Sequence, residues 1–313
     1  MNNLNLRGCY TAIVTPFTGN GSLDEQALRN LVDWQIAEGI SGIVACGTTG
    51  ESVTLSDDEY LRVMEIVILQ ANGRVPVICG AGGNNTFKVV KMARAAESLG
   101  ADAILSVSPY YNKPTQAGLV AHFSAIADAV DIPIILYNVP GRTSSNITAE
   151  TTLQLARIDN IVAIKEASGD LGQVMEILRN RPQDFRILSG DDALTLPMLA
   201  AGADGVISVI GNQIPHDFSE LVTAALDNDF PRARELQNRY LNLMNLNFIE
   251  ANPVPVKAAL AMMQRINPAV RLPLVPLQPV HHELLRAELE RLNLLSSTVP
   301  GMPVNNRAAV EYV

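Results

Sequence analysis

Short apolar runs rich in Val and Ile alternate along the chain with longer stretches of 3.6-residue periodicity, the pattern of successive strand–helix units. Eight runs are predicted as strands: Thr11–Thr15, Gly42–Cys46, Val75–Cys79, Ala103–Val107, Ile132–Tyr137, Ile161–Lys165, Phe185–Ser189 and Gly205–Val209. Between them, Asp24–Glu38, Asp57–Asn72, Thr86–Leu99 and Gln116–Val130 carry amphipathic helical spacing. Strands that are apolar at consecutive positions are buried on both faces, as in a parallel sheet covered by helices. The expected fold is therefore an α/β (β/α)8 TIM barrel over residues 1–213, with an open doubly wound sheet as the alternative, because periodicity does not show closure. The helical segments Phe218–Asn228, Phe230–Leu246, Pro255–Gln264 and Val280–Leu294 predict a C-terminal helical extension over 214–295. Residues 296–313, with Pro300, Gly301 and Pro303 and no period, predict a loosely ordered tail.

Composition narrows the partners. At 313 residues, one barrel plus an appendage accounts for the length, and 48% hydrophobic with 18% charged residues is the profile of a chain that buries a core. A net charge of −9 and the lack of any basic run with interleaved aromatics argue against nucleic acid. The N-terminus lacks an apolar signal region and no stretch reaches 18 uninterrupted apolar residues, so a soluble, cytoplasmic protein with no membrane partner is expected. Cys9, Cys46 and Cys79 lie near predicted strands and are expected as reduced core thiols. No Cys-x-x-Cys occurs and the four His lack ligand spacing, so no metal site is expected. Gly80-Ala81-Gly82-Gly83-Asn84 lacks the third glycine of a dinucleotide fingerprint and no phosphate loop occurs, so no cofactor is expected.

In a barrel, chemistry sits where strands end at the C-terminal face. Of only five lysines, Lys165 alone ends an apolar strand, Ile161-Val162-Ala163-Ile164, which would aim its amine into the barrel mouth. Desolvation disfavours an ammonium, so a buried lysine is a nucleophile near neutral pH. The plainer reading is an ion pair between Lys165 and Glu166 or Asp191, and position alone does not choose between the two. Tyr137 ends the preceding strand, where its phenol could exchange a proton with that amine; a packed aromatic is the ordinary role of such a residue. Thr49 and the Tyr110-Tyr111 pair add hydroxyls, and Schiff-base chemistry moves protons at every stage. Gly47-Thr48-Thr49-Gly50-Glu51 has the backbone freedom and hydroxyl donors to hold a small carboxylate, although such a turn also merely connects a strand to a helix. Arg142, in the turn after strand five, could grip a second carboxylate, or form a surface salt bridge.

Taken together, these motifs resemble those of the dihydrodipicolinate synthase family within the N-acetylneuraminate lyase superfamily. The resemblance covers roughly residues 6 to 295. It rests on Thr15-Pro16-Phe17, Gly47-Thr48-Thr49-Gly50-Glu51-Ser52, Pro109-Tyr110-Tyr111-Asn112-Lys113-Pro114, Tyr137-Asn138-Val139-Pro140-Gly141-Arg142-Thr143, Ile164-Lys165-Glu166-Ala167 and Ser189-Gly190-Asp191-Asp192. It implies condensation of pyruvate with L-aspartate 4-semialdehyde on the lysine and diaminopimelate route. By the same resemblance Lys165 forms the Schiff base, and Thr48 with Thr49 binds the pyruvate carboxylate. Tyr137, Thr49 and Tyr111 form a proton relay, with Tyr111 reaching in from a neighbouring subunit. Arg142 holds the semialdehyde carboxylate, Gly190 and Ile207 supply pocket backbone, and the assembly is a homotetramer, a dimer of dimers.

Two departures from the family pattern stand out. Lys88, Asp57 and Tyr60 replace a Glu and two His of the lysine-effector pocket found in inhibited members, while Ser52, Asn84 and Tyr110 match it. A cation at Lys88 repels the effector's ammonium, so weak or absent feedback inhibition is expected. Ile210-Gly211-Asn212 stands where Thr-Ala-Asn is commoner, which loosens the expectation for that pocket wall. The competing functions are an N-acetylneuraminate lyase or keto-deoxy-sugar aldolase, which shares the lysine and tyrosine, and a non-catalytic barrel that binds a small acid. Arg142 and the Thr48-Thr49 pair favour the synthase over the sugar enzymes, and a binder has no use for a nucleophile with a proton relay.

Overall fold

Backbone hydrogen bonds join eight parallel strands into a closed barrel in the order β1 to β8, so the open-sheet alternative falls away. The structure, a computed structural model, describes residues 4–295; the expected tail at 296–313 lies outside the described residues. The strands are β1 (Gly8–Ala12), β2 (Gly42–Ala45), β3 (Val77–Gly80), β4 (Ala103–Val107), β5 (Ile134–Asn138), β6 (Ile161–Glu166), β7 (Arg186–Ser189) and β8 (Gly205–Ser208). Helices α1 (Glu25–Ala37), α2 (Asp57–Ala71), α3 (Thr86–Ser98), α4 (Gln116–Ala127), the one-turn α5 (Pro140–Thr143), α6 (Ala149–Leu155), α7 (Leu171–Asn180) and α8 (Thr195–Ala200) follow the first seven strands. After β8 come α9 (Pro215–Leu226), α10 (Phe230–Leu246), α11 (Val254–Met262) and α12 (Pro279–Arg291). Helix α9 packs on β1 and β8 and completes the outer ring, so the division expected at residue 213 separates β8 from the helix that covers it.

Helix starts follow from side-chain caps. Asp24, Asn85, Thr115, Thr148 and Asp170 each accept a backbone N–H of the first turn, and Ser56 with Glu59 forms a full capping box on α2. Each strand feeds two cores because its residues alternate in direction. Tyr10, Ala12, Val44, Ile78, Leu105, Ile135, Tyr137, Ala163, Leu188 and Ile207 fill the barrel interior. Cys9, Ile43, Cys79, Ile104, Leu136, Ile164, Ile187 and Val206 pack outward against the helices. The three cysteines are buried and free, as their positions predicted. No helix among the described residues is long and apolar enough to cross a membrane.

The first strand lies earlier than its hydrophobic pattern suggested. It begins at Gly8, which lies against Gly205 of β8 so closely that a Cβ on Gly205 would sit 2.2 Å from the Gly8 carbonyl oxygen. It ends before Thr15 because the ladder is interrupted by a side chain: Val14 N–H donates to Asn212 Oδ1 (3.1 Å) instead of to a strand. Asn212 Nδ2 in turn donates to the carbonyls of Ala12 (2.8 Å) and Val209 (3.0 Å), stitching the seam between the first and last strands. Replacing this buried side chain leaves a backbone donor and an acceptor unpaired. Asn212→Ala is expected to lower the unfolding free energy by about 2–4 kcal/mol in urea titrations; a change within about 0.5 kcal/mol, the range of ordinary surface substitutions, would show that the seam does not depend on it.

Candidate active site

Lys165 and Tyr137 meet because of register. They are paired across β5 and β6, and alternation turns both inward, above Ile135 and Ala163. Lys165 is 5% exposed, and its Nζ lies 4.4 Å from the centre of the Tyr137 ring. The ion-pair alternative is not what the structure shows: no carboxylate lies within salt-bridge distance of Lys165 among the described residues. Glu166 faces the opposite side of β6, where its oxygens accept from Asn138 Nδ2, Gln173 Nε2 and Ser168 N–H. Asp191 is spent on the backbone N–H groups of Ala193 and Leu194. Burial without a counter-ion brings the Lys165 amine down to about 8, with the more distant Asp192 opposing and Arg142 assisting. Burial holds the Tyr137 phenol above its ordinary range, so it stays protonated, with Arg142 and the Thr48 hydroxyl pulling the other way.

A cavity of about 420 Å³ opens around this pair at the C-terminal ends of the strands. Thr48, Thr49, Tyr110, Arg142, Gly190 and Asp191 share its lining with Lys165 and Tyr137. Gly190 is required by the nucleophile itself: a Cβ there would fall 3.0 Å from Lys165 Cε and 2.7 Å from the Ala167 Cβ. Arg142, on one-turn helix α5, is exposed at the rim. Ile207 is fully buried in the barrel interior and does not line the cavity. Tyr111 is 88% exposed and, unlike its neighbour Tyr110, stands outside the cavity lining of its own chain. Within one chain, then, Lys165, Tyr137, Thr48, Thr49, Arg142 and Gly190 come together, and Tyr111 does not.

The Thr48-Thr49 loop is anchored from far away in sequence. Glu51, in the left-handed region at φ 51°, is 2% exposed and pairs with the fully buried Lys257 of α11 at 2.6 Å. Lys257 Nζ also donates to the Thr15 carbonyl (3.0 Å), and Arg271 N–H donates to the second Glu51 oxygen (3.2 Å). Arg271 grips Glu59 through two hydrogen bonds of 2.6 and 2.7 Å, and both cations lie over the Phe17 ring, at 4.3 Å for Lys257 and 4.2 Å for Arg271. Asn252 completes the wall, donating from Nδ2 to Thr49 Oγ1 at 3.0 Å. Sequence reasoning missed Phe248 and Asn252 as cavity residues, and it offered no partner for Lys257. The Asn252-Pro253 pair signals a break between helices, and nothing local says that it faces a loop some 200 residues earlier.

A desolvated amine that loses its proton near pH 8, a protonated phenol, hydroxyl donors and a cationic rim around a small cavity can form and process an imine of an oxo acid. Comparison with known proteins agrees. The model of the dihydrodipicolinate synthetase family matches residues 5–292. The 4-hydroxy-tetrahydrodipicolinate synthase of Koribacter versatilis is 56% identical over 92% of this chain and 95% of its own length. That of Prosthecochloris aestuarii is 50% identical over 95% of this chain and 100% of its own. The chloride-inhibited dihydrodipicolinate synthase of Acinetobacter baumannii, solved in complex with pyruvate, superposes with a TM-score of 0.91 at 44% identity, covering 93% of this chain and 100% of that one. With a closed barrel, a desolvated strand-end lysine and this similarity along nearly the whole sequence, the chain belongs to the dihydrodipicolinate synthetase family.

Proposed function

We propose that this protein condenses pyruvate with L-aspartate 4-semialdehyde to 4-hydroxy-tetrahydrodipicolinate through a Schiff base at Lys165. The observation that carries the proposal is the state of that amine: buried, facing the cavity, and without a carboxylate partner. The neutral amine adds to C2 of pyruvate, and loss of water gives the iminium. Thr48 and Thr49 hold the pyruvate carboxylate. Removal of a C3 proton gives the enamine, whose carbon attacks the aldehyde of the second substrate while Arg142 holds that substrate's carboxylate. The substrate's own amine then displaces Lys165 from C2, closing the ring and regenerating the free lysine.

We assign the protons released and consumed at these steps to Tyr137, Thr49 and Tyr111, while the threonine hydroxyl beside the Tyr137 phenol in this structure is that of Thr48. The exposure of Tyr111 outside its own chain's cavity supports its delivery to a neighbouring subunit, and with it a dimer of dimers. Gly190 shapes the wall beside the lysine stem, and Ile207 contributes through its backbone. The exposed Arg142 and the Thr48-Thr49 pair favour a short dicarboxylic product over the polyol of a sugar-acid aldolase.

Reductive trapping tests the chemistry. Incubation with pyruvate and borohydride is expected to add one reduced pyruvyl group at Lys165, and none to Lys165→Ala; an adduct elsewhere would overturn the mechanism. Because imine formation needs the neutral amine, the trapping rate is expected to rise with pH and level off above an inflection near 8. An inflection near that of a solvated lysine, about 10.4, would mean the amine is not desolvated. The same shift has a stability consequence. From about 8 to 10.5 the unfolded chain holds a proton that the folded chain has lost, so the group's contribution to stability rises with pH across that window. Lys165→Met is therefore expected to unfold at higher temperature than the wild type at pH 7, with the gap closing toward pH 10.5.

Arg142→Ala is expected to leave trapping by pyruvate intact while weakening use of the semialdehyde by about 10- to 100-fold in kcat/KM, the loss expected for a charged hydrogen bond to a carboxylate; equal loss for both substrates would remove its specific role. L-Lysine up to millimolar concentration is expected to inhibit weakly or not at all, because of Lys88, and strong inhibition in a coupled assay would refute that reading.

A further inference from the structure

Tyr137 and Lys165 face the cavity; the residues that follow them, Asn138 and Glu166, face the other way and have no part in the reaction proposed above. They pair across the ends of β5 and β6 and are 0% and 1% exposed. Asn138 Nδ2 donates to both Glu166 oxygens, at 3.0 and 3.2 Å, and to Asn146 Oδ1 at 2.8 Å. Asn146 Nδ2 donates to Gln173 Oε1 (2.9 Å), and Gln173 Nε2 donates to Glu166 Oε2 (3.0 Å). Four side chains, from β5, the loop after it, α7 and β6, thus close a ring. Ser168 N–H adds another donor to Glu166 Oε1 at 2.7 Å, so every bonded neighbour of this carboxyl is a donor. Burial raises the carboxyl above its ordinary value, and the donors of Asn138, Ser168 and Gln173 oppose that rise.

Glu166 sets the direction of the ring. A carboxylate only accepts, whereas each carboxamide has one accepting and one donating end. With the NH2 groups of Asn138 and Gln173 turned to Glu166, Gln173 Oε1 is left to receive Asn146, and Asn138 Oδ1 is left to receive the Ile147 N–H at 2.9 Å. Asn146 and Ile147 form the return end of the loop 139–147, which carries Arg142 on α5. Thr143 braces the middle of that loop, its hydroxyl donating to the Ser145 carbonyl (2.9 Å) and accepting the Ser145 N–H (3.2 Å). The Arg142 guanidinium has no hydrogen bond or ion pair of its own among the described residues, so its place at the cavity rim is set by the backbone that carries it. We infer that Glu166 is a positioning residue for Arg142: by fixing the direction of the amide ring, it pins the loop that presents the guanidinium to the second substrate.

The inference rests on the role proposed for Arg142, and a double-mutant cycle separates the two. Glu166→Gln keeps the shape of the side chain but sets an NH2 against the NH2 of Gln173, and flipping Gln173 and Asn146 only moves that conflict to Asn138. Exchanging the pair, Glu166→Gln with Gln173→Glu, restores an acceptor at the contact. Glu166→Gln is expected to reach the wild-type extent of borohydride-trapped pyruvate adduct and to lose about tenfold in kcat/KM for the semialdehyde, within the range that misplacing a positioned group costs. The exchanged pair is expected to recover most of that loss, and in an Arg142→Ala background Glu166→Gln is expected to cost nothing further. An equal loss in both backgrounds would overturn the inference, as would no recovery in the exchanged pair, or a fall in trapped adduct that matches the fall in kcat/KM. Should Glu166→Gln fail to fold, Asn146→Ala breaks the same ring at an exposed position and is held to the same cycle. Unchanged use of the semialdehyde by Arg142→Ala alone is a different result: it would bring down the role proposed for Arg142 first, and the inference with it.

Discussion

A primary amine kept out of water with no anion to pair with is the condition on which this site depends. The chain contains two buried lysines, and the contrast between them shows how the condition is met. Lys257 is sealed against Glu51 at 2.6 Å, its charge balanced and its other hydrogen bond given to a backbone carbonyl. Around Lys165, Glu166 is turned away by alternation along β6, Asp191 is held by backbone groups, and Asp192, beyond salt-bridge distance, accepts the N–H groups of Val209 and Ile210 on one oxygen. Burial lowers both amines, but only the first has an adjacent anion to restore its proton. The two lysines thus differ in neighbours, not in depth.

Rigidity around the cavity comes from the C-terminal helices. Breaking a buried ion pair by removing one partner costs about 3–5 kcal/mol, so the Glu51–Lys257 contact strongly couples α11 to the loop that carries Thr48 and Thr49. Arg271 extends the coupling to α2 through Glu59, whose carboxyl it holds down to about 2, and the Phe17 ring lies beneath both cations. The Thr15-Pro16-Phe17 segment, the Gly47–Ser52 loop and the extension therefore form one unit. A loop with the carboxylate-binding role proposed for Thr48 and Thr49 needs fixed hydroxyls more than flexibility, and this unit supplies them.

Much of this was legible in the sequence because its cause is local. Eight apolar runs and their spacing gave the barrel, and strand-end positions gave Lys165 and Tyr137, since pairing of adjacent strands and alternation follow from strand geometry alone. Alternation also held the answer to the ion-pair question: Glu166, one residue after an inward Lys165, must face out. The first strand was misplaced because Gly8 and Tyr10 do not read as an apolar run, whereas Ile13 and Val14 do; their burial comes from the loop after β8, through Asn212. Asn252 and the pairing of Lys257 with Glu51 were not legible, because they join segments 203 and 206 residues apart and no local pattern encodes such a partner. Tyr111 is a related case, since what a second copy of the chain would cover is not written in the neighbourhood of the residue.

In the proposed reaction, desolvation also bears on the step after an imine forms at Lys165. An environment that disfavours the Lys165 ammonium disfavours the iminium cation for the same reason, so it favours onward loss of a C3 proton to the neutral enamine. A carboxylate placed beside Lys165 would stabilise both cations, slow the attack by keeping the amine protonated, and then hold the iminium against deprotonation. The anion that does accompany the iminium is the carboxylate of pyruvate itself, which arrives with the substrate and so leaves the free enzyme's amine uncharged often enough to react. In the proposed reaction what remains for the protein is to move protons without introducing charge, and the neutral hydroxyl of Tyr137, with that of Thr48 beside it, suits that task. The same absence of a fixed anion thus serves nucleophilic attack and carbanion formation in turn.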